Sequence, residues 1–296
     1  MFVNTGKELI KVCNEENLNI WKYTLKMEAQ NRNISEEEVF ETMRNALKVM
    51  RNSAKIGREK EIKSVSGLIG GDALKLEKYS KGENTLTGSF MVRAMAMAIS
   101  TSEVNAAMGR IVASPTAGSA GILPAVVIAA GEKLNKSEDD LVKALLTASG
   151  LGILISKNAT TAGAEGGCQA ECGSAAAMAS AAVVEMMGGS VEQALDAGAI
   201  VIKNILGLVC DPVAGLVEIP CAKRNIAGTV SALTTADMVM AGVTSHIPFD
   251  DTVEAMYKVG KQLPSCLRET ALGGVAITKS GLELKEKVFG CEGCKK

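Results

Sequence analysis

The stretch GSAAAMASAAVVEMM (173–187) decides the fold class. Alanine and methionine, which make up most of it, are strong helix formers. Its Gly and Ser positions let a neighbouring helix pack closely. The same chemistry runs through the whole chain. Of 296 residues 47% are hydrophobic but only 3% aromatic, with 30 glycines and 14 methionines. A β-sandwich would want more Tyr, Phe, Trp and Thr. No alternating strand pattern exceeds a few residues, and no fixed-period repeat is present. The expectation is a mainly α protein, with Leu151–Ile155 as a candidate short strand.

Several helix starts are legible outward from that run. Ser35 with Glu38 forms a capping box ahead of Val39, Phe40, Met43, Leu47 and Met50, with Gly57 as the stop. Ser137 with Asp140 opens a helix through Leu141, Leu145 and Leu146. Ser190 with Gln193 opens another, through Leu195, Ile200 and Leu206, that stops at Gly207. Asp250 and Asp251 precede Val253, Met256, Tyr257 and Gly260. Residues 1–85 hold 28 charged side chains, whereas the next 200 residues hold only 32. The first part therefore reads as solvent-facing helices, and the second as an interior surrounded by protein.

The formal charge of −1 provides no excess to neutralise phosphates, which argues against a nucleic-acid-binding protein. A single histidine excludes His-rich metal sites and any triad that needs two. Lys7 and Glu8 interrupt the N-terminus before an apolar signal region can form, so a cytoplasmic location is expected. There, cysteines serve more often as thiols, ligands or catalytic groups than as disulfides. Ile111 to Gly131 is free of charge over a length near that of a membrane span. Pro115, Pro124, its glycines and the cluster Ser114, Thr116 and Ser119 favour a buried loop leading into a core helix instead, and no membrane contact is expected.

Four loops punctuate the second part: ASPTAGSAG (113–121), TTAGAEGGC (160–168), DPVAG (211–215) and ALGG (271–274). Such loops either break helices in a tight bundle or bring backbone N–H groups close to anions. None is a Walker A loop, and no GxGxxG follows a strand. Of the eight cysteines, Cys13 and Cys266 read as structural or incidental. Cys168 and Cys172 lie four apart, Cys210 and Cys221 bracket DPVAGLVEIP, and Cys291 and Cys294 form CEGC near the end. A structural zinc site would show two CxxC pairs or accompanying histidines. A ferredoxin-type cluster would show compact CxxCxxC spacing. Dispersed cysteines at loop–helix junctions leave open a third design, in which three thiolates hold an iron–sulfur cluster with one iron free for substrate.

The segments AEGGCQAECGSAAAMA (164–179), CDPVAGLVEIPCAKRN (210–225), RIVASPTAGSAGILPA (110–125) and LPSCLRETALGG (263–274) resemble the iron–sulfur-dependent L-serine dehydratase family, specifically its α subunit. The resemblance covers roughly residues 60 to 285, in order and without large gaps. It implies a helical catalytic domain whose Gly-rich loops surround a [4Fe–4S] cluster, and it implies no PLP. The cluster ligands carry over to Cys168, Cys210 and Cys221, with Cys172 less secure. The implied organisation is a charged helical segment (1–85) packing on the core, an iron–sulfur catalytic domain (86–285) and a flexible tail (286–296). A tail cysteine, Cys291 or Cys294, is a further candidate ligand; an adventitious metal-binding tail is the alternative. The chain has no room for the family's second domain, which implies a separate β subunit.

The implied reaction converts L-serine to pyruvate and ammonia. An open iron acts as Lewis acid on the substrate hydroxyl, because hydroxide is a poor leaving group. A base removes the Cα proton, and the resulting aminoacrylate tautomerises and hydrolyses unaided. An open iron also implies sensitivity to oxygen. Ser114, Thr116, Gly118 and Ser119 are candidates to bind the substrate carboxylate, with Lys223 and Arg268 as further partners and Arg224 as an alternative. Lys157 is the candidate catalytic residue, either orienting substrate or acting as base; a base from the β subunit is an equal alternative. His246, in VTSHIPFDD, reads as a surface or cap residue. Competing readings are a cluster-dependent L-cysteine desulfidase and a non-catalytic thiol-bearing subunit.

Overall fold

Several helices begin where the sequence supplies a cap, and a few take one from a distant helix. The computed structural model describes residues 3–290. Helix α1 (Gly6–Glu15) opens on the Thr5 hydroxyl, which accepts from Glu8 N, and is followed by α2 (Ile20–Arg32). Helix α3 (Glu36–Glu59) carries the Ser35–Glu38 capping box. After α4 (Asp72–Ser80), α5 (Gly88–Ala106) and α6 (Ile122–Lys133), the Ser137–Asp140 box opens α7 (Glu138–Asn158). The single turn α8 (Gly163–Gly166) and a π-helical turn at Gln169–Gly173 lead into α9 (Ser174–Met186). The Ser190–Gln193 box opens α10 (Val191–Ile205). Helices α11 (Cys221–Met240), α12 (Phe249–Gln262) and α13 (Lys279–Phe289) complete the described chain.

Three helices without a sufficient cap of their own borrow a carboxylate from a distant element. Glu185, in α9, accepts from Ile20 N at 2.5 Å and Trp21 N at 3.3 Å at the start of α2. Glu103, in α5, accepts from Asp72 N at 2.6 Å at the start of α4. Asp250, in α12, accepts from Gly6 N at 2.6 Å and Lys7 N at 3.0 Å at the start of α1. Each satisfies N–H groups that a helix start leaves open.

The alanine-rich helix α9 is the centre of the molecule. Every residue from Ser174 to Val184 is buried, and α6, α7, α10 and α11 pack around it. Small side chains allow this: a Cβ added at Gly228 of α11 would lie 2.5 Å from Ile122 Cδ1 of α6. The charged N-terminal helices join the same core, since Leu9, Ile20, Val39 and Leu47 belong to one hydrophobic cluster with Met178, Val201 and Met256.

The candidate strand at Leu151–Ile155 is helical, lying inside α7. A short apolar run cannot by itself distinguish a buried strand from a buried helix, and the capping box upstream decides it. Among the described residues the only β-type pairings are isolated bridges, Lys63 with Gly70 and Cys210 with Arg268. The charge-free stretch 111–131 is a loop, a 3-10 turn at Ala117–Ser119 and the first turns of α6, which is buried from Ile122 to Gly131. No helix among the described residues is long and apolar enough to cross a membrane.

Candidate active site

Separate segments bring four cysteines together ahead of α9. Cys168 precedes the π-helical turn and Cys172 lies within it, Cys210 follows α10, and Cys221 opens α11. All four are buried. Cys168 Sγ and Cys172 Sγ lie 3.4 Å apart. Cys210 Sγ reaches the Glu171 carboxylate in the π-helical turn at 3.9 Å, and α11, which Cys221 opens, packs against that same turn, so the three segments meet. The hydrogen bond from Cys172 holds Cys168 below the ordinary thiol range, and the Arg224 guanidinium adds to this. That same bond, together with burial, pushes Cys172 well up. Burial raises Cys210 and pushes Cys221 up to about 12. Such thiols ionise readily only when a cation compensates the thiolate.

Glu171, between Cys168 and Cys172, turns its carboxylate toward the SPTAGS loop. It accepts from Thr116 Oγ1 at 2.8 Å and from the Cys210 thiol at 3.9 Å. Thr116 Oγ1 in turn lies 3.2 Å from Ser119 Oγ. Burial raises the Glu171 carboxyl above its usual range. Glycines make room for it: a Cβ at Gly163 would lie 2.6 Å from Glu171 Oε2 and 3.1 Å from Cys210 Sγ. A Cβ at Gly118 would lie 3.2 Å from Glu171 Oε1. The segment 267–271 runs beside Cys210. Cys210 N donates to Leu267 O, and Glu269 N donates to Cys210 O, both at 2.8 Å. Glu269 and Ala271 there, and Ala214 after Cys210, hold left-handed φ of 65°, 57° and 58°. Backbone strain of this kind in non-glycine residues concentrates at functional sites.

The structure gathers some of the expected residues and leaves others elsewhere. Thr116, Gly118 and Ser119 surround Glu171. Ser114 is buried, its hydroxyl 3.5 Å from Val112 O. Arg268 pairs through its backbone with Cys210 and keeps a buried Nε with no partner. Lys223 turns toward α4, where its Nζ lies 2.7 Å from Asp72 Oδ2. Lys157 donates to Val3 O at 3.0 Å and to Asn4 Oδ1 at 3.3 Å. It shares a cleft of about 590 Å³ with Pro115 of the SPTAGS loop and Met178 of α9. His246 is exposed in a turn, and Cys13 is buried in the core. Cys291 and Cys294 lie outside the described residues.

Among the described residues no group of three or more His, Cys, Asp or Glu side chains is placed to hold a single metal ion. A mononuclear site draws its ligands to about 2.0–2.3 Å from one point. A multi-iron cluster instead spreads its thiolates over separate irons. Buried thiols from neighbouring segments, without histidine, are the donor set it needs.

Known proteins decide the family. The profile described as serine dehydratase alpha chain matches residues 15–276. This chain belongs to that family. It is 48% identical to a probable L-serine dehydratase alpha chain of Bacillus subtilis (strain 168), over 98% of this chain and 96% of that one. It is 49% identical to the L-serine dehydratase alpha chain of Peptoniphilus asaccharolyticus, over 96% and 97% of the two chains. L-serine dehydratase 2 of Escherichia coli (strain K12) is 35% identical over 93% of this chain, and the match spans 61% of that longer protein.

Within the family frame, sequence reasoning missed Glu171, Asp211 and Asn225. A signal for Glu171 was available: it is a carboxylate set between two cysteines in a region nearly free of charge. Asp211 and Asn225 gave none, because their partners are far away in the chain.

Proposed function

We propose that this chain is the catalytic chain of an enzyme that dehydrates L-serine to pyruvate and ammonia. The observation that carries the reading is that Cys168, Cys210 and Cys221, all buried, come from segments that meet beside Glu171 and the SPTAGS loop. Those three thiols would hold a [4Fe–4S] cluster, with Cys172 as a neighbour hydrogen-bonded to Cys168. When bound, the cluster supplies Lewis acidity toward the substrate hydroxyl.

The chain's own residues supply the rest. The partnerless Nε of Arg268 suits the substrate carboxylate, because a buried N–H without an acceptor costs free energy that an anion relieves. The hydroxyls of Thr116 and Ser119 and the N–H groups of their loop complete that carboxylate site. Ser114 and Gly118 shape the loop. Glu171 is the candidate to take the Cα proton, because it borders the SPTAGS loop and its burial makes the carboxylate a stronger base than an exposed one. Lys157, at the cleft beside Pro115, orients rather than accepts a proton, since its nitrogen already donates to two oxygens. Lys223 holds α11 to α4 through Asp72.

The partner in this reading is a β chain. The alpha-chain names of the relatives support it, as does the extra length of the longer proteins that match over about three-fifths of themselves. The test is an anaerobic assay of this chain with a co-expressed β chain. Pyruvate should form from L-serine. Sulfide from L-cysteine in place of pyruvate from L-serine, or no turnover of either, would overturn the reading.

A further inference from the structure

Arg224 and Asn225 are consecutive residues in the first turn of α11, three and four positions after Cys221. Their side chains end on different parts of the site. Arg224 Nη1 donates to Val209 O and Nη2 to Asp211 Oδ1, both at 2.8 Å, gripping the residues on either side of Cys210. The positive charge of the same guanidinium favours the Cys168 thiolate. Asp211 passes the grip on, because its other oxygen accepts from Val275 N at 2.7 Å and its carboxylate packs directly on Gly274. From the helix that begins at Cys221, one cation thus grips the segment of Cys210 on both sides.

Asn225 is 1% exposed and has every polar group matched. Its Nδ2 donates to Gly118 O at 2.7 Å and to Cys221 O at 2.9 Å. Its Oδ1 accepts from Gly121 N at 2.9 Å. These bonds fasten the SPTAGS loop to the turn that carries Cys221.

We propose that these neighbours divide the positioning of the site: Arg224 fixes the Cys210 segment against the turn that carries Cys221 and sets a positive charge beside the thiols, and Asn225 fixes the substrate loop. The inference rests on the iron–sulfur serine dehydratase reading. Three buried thiolates from neighbouring segments need a fixed positive charge, and a planar guanidinium meets two oxygens at once in a way that an ammonium cannot. A loop held by one buried amide keeps its hydroxyls and N–H groups in register for a carboxylate.

The test compares wild type with Arg224→Lys, Arg224→Gln, Asn225→Asp and Asn225→Ala, each purified anaerobically with the β chain. Three readouts are taken: iron release to a chelator with the visible and EPR spectra, KM and kcat for L-serine, and the melting temperature. Arg224→Gln should release iron at least about tenfold faster, as loss of a supporting residue does at metal sites, with Arg224→Lys in between. KM of the iron-holding fraction should stay within about twofold for both. Asn225→Ala and Asn225→Asp should raise KM about tenfold, with iron release and spectra unchanged. Parallel loss of iron and of KM that tracks a lowered melting temperature would reduce the pair to ordinary fold contacts and overturn the division. Unchanged iron release in both Arg224 variants, or unchanged KM in both Asn225 variants, would overturn it too. A wild type that holds no iron would sink the cluster reading and this inference together. A wild type that holds iron beside unaffected variants would sink the inference alone.

Discussion

At the scale of single residues, the site depends on how closely Glu171 is held. Its carboxylate sits between Thr116 and the Cys210 thiol, with Gly163 and Gly118 leaving the space. Glu171→Gln keeps the shape and removes the proton acceptor. We expect iron content to be retained and kcat to fall by about 10²–10⁴-fold. Gly163→Ala should give a milder version of the same defect, because the new Cβ must displace Oε2. Steady-state kinetics with iron analysis checks both; full activity in Glu171→Gln would place the base elsewhere. The cysteines at this site were legible because their motifs are long and unusual. Glu171 carried a signal, a carboxylate between two cysteines in a region nearly free of charge, but its partners Thr116 and Cys210 lie 55 and 39 residues away and show only in the fold. Lys223, expected at the substrate carboxylate, instead pairs with Asp72, 151 residues away, which only the fold reveals.

At the scale of elements, local caps were readable and distant ones were not. The boxes at Ser35, Ser137 and Ser190 form as expected, because each partner is three residues along. The caps supplied by Glu103 and Glu185 depend on packing between helices. Glu103 is fully buried, and its Oε2 has no hydrogen-bond partner. Burial pushes its carboxyl up to about 7, from an ordinary 4.5. Folding therefore favours the protonated form. This contribution to stability is fully present below about pH 4.5 and is lost as pH rises through about 7. Glu103→Gln should flatten the decline in melting temperature between those values. At pH 8 it should stabilise the fold by about 1–3 kcal/mol, since no unpaired charge is left buried. Thermal unfolding across pH checks this; a variant that keeps the wild-type slope would assign the slope to other groups. The short run Leu151–Ile155 shows the opposite difficulty, where local sequence suits two elements and only the longer frame of α7 chooses.

At the scale of the whole molecule, the composition sets both fold and site. A core of small residues lets α6, α7, α10 and α11 close around α9, and the loops at its N-terminal end then meet. Ala176→Leu would press into α11 at Gly228, where the backbones approach closely. Overpacking of this kind costs about 1–3 kcal/mol, readable by denaturant unfolding. A cost near zero would mean that α9 is less confined than its burial implies. The mainly helical class was legible from the low aromatic and high alanine content, whereas the order in which the helices pack was not, because small residues leave no distinctive surface pattern. The central claim is that Cys168, Cys210 and Cys221 hold an iron–sulfur group. Its most direct test is iron and acid-labile sulfide analysis of anaerobically purified protein. About four of each per wild-type chain are predicted, and loss of both in Cys168→Ala, Cys210→Ala and Cys221→Ala. A wild type without iron, or any of these three variants retaining the full complement, would contradict it.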